Sequence, residues 1–551
     1  MKKFLLPLCA FGFATGIQAV DNPYIIPDAV ILGFSPDNRV AVSQINNTVF
    51  FFDLESDEAP LIFSESEDAL VGYNVSSGNF LSNNTILVGR KQEGSSAWRW
   101  NPTRGVHNGR WYTLNDPQTD PGIKTEMGSP NGITADGTRV CGTYATGASF
   151  ASDDGATMVI PCFWDYKDGS YTRTMLPYPD KDYSGMAPQY VTAVAISDSG
   201  KTIVGQSCSN NGFLVEFLIY KQDADGNWTY TKPFADLVNP NNLQLPEYPS
   251  DESPAVPSPE AYLDEEGKAA YDAAYEEFMK GLGEEPDVTT YLTADSIAAY
   301  NAQVDLVNEW VKKYEAYRAV DLQILTDSES FVFNTVSISP NGKYFCGSAV
   351  RTYVIDELGS TYSVYTPYLY DIEKGCKVEI PTDKSVLLTG VSDLGDLIGY
   401  ERLYDVDYGY ALPAGATEWQ PLEQYVVDRN PDLADWVKEN WEHEVQVIVD
   451  EEEGIVEMQR VFITGVPIPS RDFSHISTAA YTFWTDGPEE YYQRFCSWIV
   501  PFGNSRSAID EVSAGTAAKS DGAYFDLQGR RMATPAASGI YIHDGKKVLV
   551  K

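Results

Sequence analysis

A ten-residue pattern returns along this 551-residue chain: an apolar residue, Ser or Thr, a short turn of Asp, Asn or Gly, then a strand-type run ending in Gly or Ser. The clearest copies run from Ile133 to Gly142, Ile196 to Gly205 and Ile338 to Gly347; Phe34 to Ser43 is a fourth. Leu81 to Gly89 and Val391 to Gly399 are one residue shorter, and a degenerate seventh ends at Phe462-Ile463-Thr464-Gly465. Each is followed by a second, aromatic strand: Val49 to Asp53, Ala97 to Trp100, Pro161 to Trp164, Phe213 to Tyr220, Pro367 to Asp371, Tyr408 to Leu412 and Ala480 to Trp484. Asp or Asn with Gly supplies the left-handed backbone of a tight hairpin, so each unit reads strand, hairpin, strand, loop, strand. The copies end at Ser43, Gly89, Gly142, Gly205, Gly347, Gly399 and Gly465, mostly 46 to 66 residues apart, and the one large gap holds an insertion. Four-stranded units at about 40 to 50 residues are the period of a propeller. The expected fold is therefore all-β, a β-propeller of seven blades with six as the alternative count.

The insertion changes period. Pro246 to Pro259 is rich in Pro, Ser and acid. Beyond it Tyr271, Tyr275 and Phe278, and then Tyr300, Val304, Val307 and Val311, recur at helical spacing, with Gly281-Leu282-Gly283 and Pro286 breaking the two runs apart. A two-helix hairpin over about 246–325, between blades four and five, is expected. Asn430 to Val437 opens a shorter helix reaching Trp441, with Asn430 or Asp432 as its cap. Lys2 and Lys3 before the apolar run Phe4 to Ile17, and Ala19 at its end, read as a signal peptide over 1–19. Cys9 is preceded by Leu8, which does not suit a lipoprotein site, and no later segment reads as transmembrane. The propeller then occupies 20–502, a Ser, Ala and Gly-rich tether 503–521, and a small β module 522–551.

Two resemblances follow from these residues. The hairpins, with Cys162-Phe163-Trp164 and Trp98-Arg99-Trp100 as second elements, resemble the secreted propellers of the HAF-repeat kind, which implies a fold and no activity. Tyr524-Phe525-Asp526-Leu527-Gln528-Gly529-Arg530-Arg531, then Gly539-Ile540-Tyr541-Ile542, then Gly545-Lys546-Lys547-Val548-Leu549-Val550-Lys551, resembles the type A C-terminal sorting domain of the type IX secretion system of Bacteroidota. That resemblance implies export, with the secretion machinery as partner through Leu527, Gly529, Arg530, Arg531, Gly539, Tyr541, Gly545, Lys546, Lys547 and Lys551, and an extracellular or outer-membrane location, the periplasm being the alternative.

With 79 acidic and 39 basic residues the net charge is −40, which opposes binding to nucleic acid or an anionic membrane. There is no nucleophile elbow, HExxH, P-loop or dinucleotide fingerprint. The four histidines, His107, His443, His475 and His543, are far apart in sequence. Cys141 with Cys162 and Cys346 with Cys376 are the most local choices for disulfides, buried free thiols being the alternative for these and for Cys208 and Cys496. No metal site is expected. Asp223-Ala224-Asp225-Gly226-Asn227 and Glu451-Glu452-Glu453-Gly454 could offer oxygens to Ca²⁺ without the full loop spacing, and read more simply as acidic turns. The expected function is a secreted module that binds a glycan or surface protein, with Trp98, Trp100 and Trp111 as aromatic loop candidates for stacking. The alternative is a propeller-type glycoside hydrolase or lyase using paired carboxylates, among them Asp405 and Asp407, or Glu442 and Glu444.

Overall fold

The computed structural model describes residues 23–27, 30–45, 48–54, 61–63, 74–75, 86–91, 94–99, 110–114, 130–145, 159–210, 212–249, 253–332, 335–354, 361–403, 406–450, 455–462, 465–485, 491–503, 524–525, 531–532, 539–543 and 546–550. The expected signal peptide and, apart from Gly503, the tether therefore lie outside the described residues.

Each repeat becomes one antiparallel sheet whose strands lie side by side in chain order. Blade 1 is Ile31–Phe34, Val40–Ile45, Thr48–Asp53 and Leu61–Phe63; blade 2 is Asn74–Val75, Ile86–Lys91, Gly94–Arg99 and Arg110–Thr113. Blade 3 is Pro130–Ile133, Arg139–Ala145, Val159–Lys167 and Ser170–Met175, and blade 4 is Tyr190–Ile196, Thr202–Cys208, Val215–Gln222 and Trp228–Thr231. Blade 5 has a divided first strand, Ser330–Phe331 with Ser337–Ile338, then Tyr344–Val354, Thr361–Asp371 and Cys376–Val378. Blade 6 is Leu387–Val391, Leu397–Leu403, Val406–Leu412 and Gln420–Pro421. Blade 7 joins both ends of the body: Ile468–Pro469, His475–Thr485 and Tyr491–Pro501 are completed by Tyr24–Pro27, which pairs Tyr24 to Pro27 against Ile499 to Cys496. The body is a seven-bladed β-propeller closed by its own N-terminal strand.

The hairpin between the first and second strands is held by one hydroxyl. Ser35, Thr134, Ser197, Ser339 and Ser470 are buried, and each accepts the backbone N–H five residues on, from Val40, Arg139, Thr202, Tyr344 and His475, at 2.9 to 3.3 Å. In four of them the hydroxyl also donates to the side chain two residues on, Asp37, Asp136, Asn341 or Asp472, at 2.6 to 2.8 Å. Such a local bond offers the chain a turn in place of a continued ladder. The next position is left-handed, which Gly137, Gly200 and Gly342 adopt freely and Asn38 adopts at φ 57°. The glycine that ends the blade 5 copy has another cause. A Cβ on Gly347 would lie 2.4 Å from Phe217 Cζ of the preceding blade, so the residue must be small for adjacent blades to meet.

The seventh hairpin corrects the sequence reading. The segment ending at Phe462 is the second strand of an added hairpin, Glu442–Asp450 with Ile455–Phe462, which joins blade 7 through Phe462 and Tyr481. The repeat itself lies downstream at Ser470 to Ser474, where Phe473 takes the glycine position at φ 56°. Its ring is buried among Leu422, Tyr425, Val500 and Phe502, which offsets the strain of a bulky left-handed residue. Ala480 to Trp484 accordingly belongs to the second strand of the blade.

The core lies between blades. Cys141, Phe163 and Leu176 of blade 3 meet Val191, Ile203, Leu218 and Tyr220 of blade 4; Ile31 and Ala41 of blade 1 meet Ile26 and Ile499 of blade 7. Of the two readings of the cysteines, the free thiols hold: Cys141, Cys162, Cys346 and Cys376 are unbridged. Cys141 is opposite Phe163 while Cys162 is opposite Gly142, so the two side chains leave opposite faces of the same strand pair. Cys346 and Cys376 lie on the second and fourth strands of blade 5, separated by a whole strand and so beyond bridging distance. Burial pushes the Cys141, Cys162 and Cys346 thiols well up, the state of inert packed thiols, and pushes the Cys208 thiol up.

Residues Ala235–Glu329 form a second compact unit. It contains the helices Glu265–Met279 and Ala294–Asp327, begun by Asp264 and Thr293, whose side chains accept from Gly267 N and Ser296 N. The helical pattern Tyr271 to Phe278 and Tyr300 to Val311 falls within these two helices. The helix expected from Asn430 to Trp441 is the 3₁₀ turn Pro431–Leu433 followed by Ala434–Asn440; a further helix, Leu422–Arg429, precedes it, and neither Asn430 nor Asp432 makes a side-chain cap. The C-terminal residues form a separate four-stranded sheet in the order Arg531–Met532, Tyr524–Phe525, Gly539–His543, Lys546–Val550. No helix among the described residues is long and apolar enough to cross a membrane.

Candidate functional site

The two ends of the propeller differ in chemistry. At the hairpin end the turns interlock: Asp198 N donates to the Pro340 carbonyl, Asn341 N donates to Asp393 Oδ1 at 2.9 Å, and Asn38 Nδ2 donates to Asp472 Oδ1 at 2.9 Å. Arg471 crosses the ring. It stands in blade 7 where Asp198 stands in blade 4 and Asp393 in blade 6, directly after the turn hydroxyl. Its Nη1 pairs with Asp198 Oδ1, and its Nη2 donates to the Ile133 carbonyl of blade 3 at 2.7 Å. Blades 3 and 4 are the two that face blade 7 in a closed ring of seven, so one guanidinium spans the axis. The Arg471 side chain is 6% exposed and that of Asp198 35%. Burial pulls the Arg471 guanidinium down and Asp198 pulls it back up, while burial and the Asp198 charge push the Asp393 carboxyl up. These groups are committed to one another, and the hairpin end is braced rather than open.

The opposite end carries the long connections. In blade 5 the second and third strands are eleven residues each, and from Arg351 and Val364 outward they pair, among the described residues, with each other alone. This ribbon projects beyond its sheet. Tyr353 and Tyr362 are directly opposite on it, their rings 5.0 Å apart and 18° from parallel, 37% and 49% exposed, with the Arg351 guanidinium 5.4 Å from the Tyr353 ring. On the next blade Arg402 holds Asp407 through two bonds, Nε to Oδ1 at 2.6 Å and Nη2 to Oδ2 at 2.9 Å, and lies 5.8 Å from the Tyr400 ring. Burial and then the Asp407 charge push the Tyr400 phenol up. Lys384 Nζ lies 4.5 Å from the Tyr410 ring. Exposed stacked aromatics with flanking guanidinium groups can stack on a flat apolar face and hydrogen-bond its rim. Among the described residues here, both Asp407 oxygens are engaged by Arg402.

The residues singled out in the sequence disperse. Trp98 and Trp111 are cross-strand partners in the outer two strands of blade 2, in strands rather than in the expected loops. Trp100 and Asp405 lie outside the described residues, as do Leu527, Gly529, Arg530, Gly545 and Lys551 of the tail. Arg531, Gly539, Tyr541, Lys546 and Lys547 are strand residues of the C-terminal sheet. Glu442 and Glu444 lie in the added hairpin opposite Phe462 and Arg460. Asp223 closes its own turn, accepting from Asp225 N and Asn227 N, while Glu451 to Gly454 are outside the described residues. No group of His, Cys, Asp and Glu suited to a metal occurs among the described residues. His475 bonds Ser474 Oγ through Nδ1 at 2.7 Å, and His107 is outside the described residues. Sequence reading missed Glu216, a buried carboxyl that burial pushes up and that pairs with Lys232. It also missed Tyr353, Tyr362 and Arg471; the lengthened second strand of blade 5 and the Arg in a Pro, Ala or Asp position were the available signals.

No family model matches the chain, and no curated protein matches it. Among solved structures it is similar to the β-propeller domain of Cps50 (Swd1) of Myceliophteria thermophila, at 11% identity over 67% of this chain and 80% of that one, TM-score 0.30. It is similar also to the β-propeller domain of the Trilobed protease of Pyrococcus furiosus, at 8% identity over 90% and 99%, TM-score 0.36. A structure from a study of two prolyl endopeptidases matches at 8% identity and TM-score 0.33, and the chain spans half of that protein's length. The blade assignment rests on the sheet topology above and not on these likenesses.

Proposed function

We propose that this protein is an exported binding module, and that the projecting ribbon of blade 5 bears its ligand-facing surface. The observation that carries the reading is the stacked, exposed pair Tyr353 and Tyr362 beside Arg351, set beyond the sheet where packing does not require it. A glycan suits this chemistry best: the C–H face of a sugar ring stacks on tyrosine while its hydroxyls bond guanidinium and phenol groups. The leader at Lys2 to Ala19 and the tail at Tyr524 to Lys551 support delivery to the extracellular or outer-membrane surface. In this reading the tail engages the secretion machinery.

A glycoside hydrolase or lyase would need two carboxyl groups about 5 to 9.5 Å apart across a cleft. Asp407 is held by Arg402 and Glu216 by Lys232, which leaves that alternative without a described pair to support it. Incubating the chain from Val20 to Phe502 with a panel of host and dietary glycans, while recording retained ligand and released products together, tests both. Retention without release is the expected outcome; catalytic release abolished by a single carboxylate substitution would replace the binding reading with the enzymatic one.

A further inference from the structure

The helix Glu265–Met279 has no buried residue. Tyr271, Tyr275 and Phe278 are nonetheless spaced to share one face, and their rings run on from Tyr291: centroids are 5.8 Å apart for Tyr291 and Tyr271, 5.9 Å for Tyr271 and Tyr275, and 6.0 Å for Tyr275 and Phe278. Met279 and Leu282 extend the stripe and are 67% and 66% exposed. Three rings and Met279 on the helix, continued by Tyr291 of the turn Val288–Tyr291 and by Leu282 past the helix end, form an apolar row of which Tyr275, Met279 and Leu282 stay exposed, although the apolar face of a helix ordinarily stabilises it by packing.

The charge around the stripe selects what could cover it. Between residues 235 and 329 there are 21 acidic and five basic side chains. Glu265, Asp272 and Glu276 follow one edge of the stripe, and Lys268 and Lys280 pair with Asp272 and Glu276 only in exposed i,i+4 bridges, weak enough to exchange for an incoming cation. Carboxylates at this density repel an anionic membrane, a nucleic acid and a second copy of the unit. They attract cations, and tyrosine faces add a cation–π component. We propose that the Tyr271 to Met279 face is a docking surface for a cationic amphipathic peptide helix, which would lay its apolar side on the stripe and its Lys or Arg side chains against the flanking carboxylates. This surface is independent of the blade 5 ribbon.

The test is a calorimetric titration of the full chain, leader removed, with a synthetic Leu/Lys amphipathic helix of about five turns. A scrambled peptide of the same composition and a Leu/Glu counterpart are the controls. Saturable binding of the Leu/Lys helix is expected, weaker by about tenfold for Tyr275→Ser with Met279→Ser. Binding should also fall with salt, less steeply for Asp272→Asn with Glu276→Gln. These side chains are exposed, so the variants should melt as the parent does. Equal binding of the scrambled peptide, equal binding by the serine variant, or no binding of the Leu/Lys helix would each overturn the proposal.

Discussion

Removing either partner of the cross-channel ion pair breaks the same bond at a different cost. Asp198→Asn leaves the Arg471 charge buried with the Ile133 carbonyl as its remaining acceptor, a loss of about 3 kcal/mol. Arg471→Met leaves a carboxylate that is a third exposed and can rehydrate, a loss of about 1 kcal/mol. Denaturant unfolding of the two variants should rank them in that order, and the reverse order would show that Arg471 is not the buried member. Asp472 gives the pH dependence. Burial alone would raise its carboxyl, but the bonds from Asn38, Ser470 and Ser474 outweigh burial and hold it below the ordinary 3.8. A carboxyl depressed in the folded state contributes stability that is present above 3.8 and is lost as pH falls through the lower folded value. An acid titration should therefore be flatter in that window for Asp472→Asn than for the parent.

At the scale of elements, the hairpins were the readable part, because one hydroxyl, one turn side chain and one left-handed residue must sit at fixed offsets to make them. Ser339→Ala should cost about 1 to 2 kcal/mol, since it leaves the buried Tyr344 N without that acceptor and takes from Asn341 Oδ1 one of its two donors, Lys343 N remaining. Gly347→Ala should cost about 1 to 3 kcal/mol through collision with Phe217. Thermal melts of the two variants check both values. The seventh hairpin was misread for a reason visible in its residues: Pro469 replaces the apolar residue, Phe473 the glycine and His475 the strand opener. What remained there, Ser470 with Asp472, is too common a pair to stand out. The disulfide alternative gave way to free thiols for two reasons that sequence distance does not report: strand parity at Cys141 and Cys162, and an intervening strand between Cys346 and Cys376. The candidate site was less legible still. A cross-strand tyrosine pair depends on register, and Tyr353 and Tyr362 are joined by a loop whose length sets which residues face each other.

For the whole molecule, closure and display go together. Ring closure depends on four residues, Tyr24–Pro27, and deleting them would bare the Tyr491–Pro501 edge in a sheet built to be covered. Self-association on size-exclusion chromatography and a less cooperative melt are expected. A monomer that melts unchanged would mean the ring is closed by packing between blades alone. With the hairpin end braced through Arg471, the ends of the second and third strands are left to face a ligand, and there the blade 5 ribbon extends past its neighbouring strands by the four pairs Arg351–Val354 with Thr361–Val364. The most direct measurement is the affinity of the parent and of Tyr353→Ala with Tyr362→Ala for the strongest glycan in the panel, alongside a melt of each. The account predicts an affinity lower by about tenfold or more at an unchanged melting temperature; equal affinity in the two proteins would contradict it.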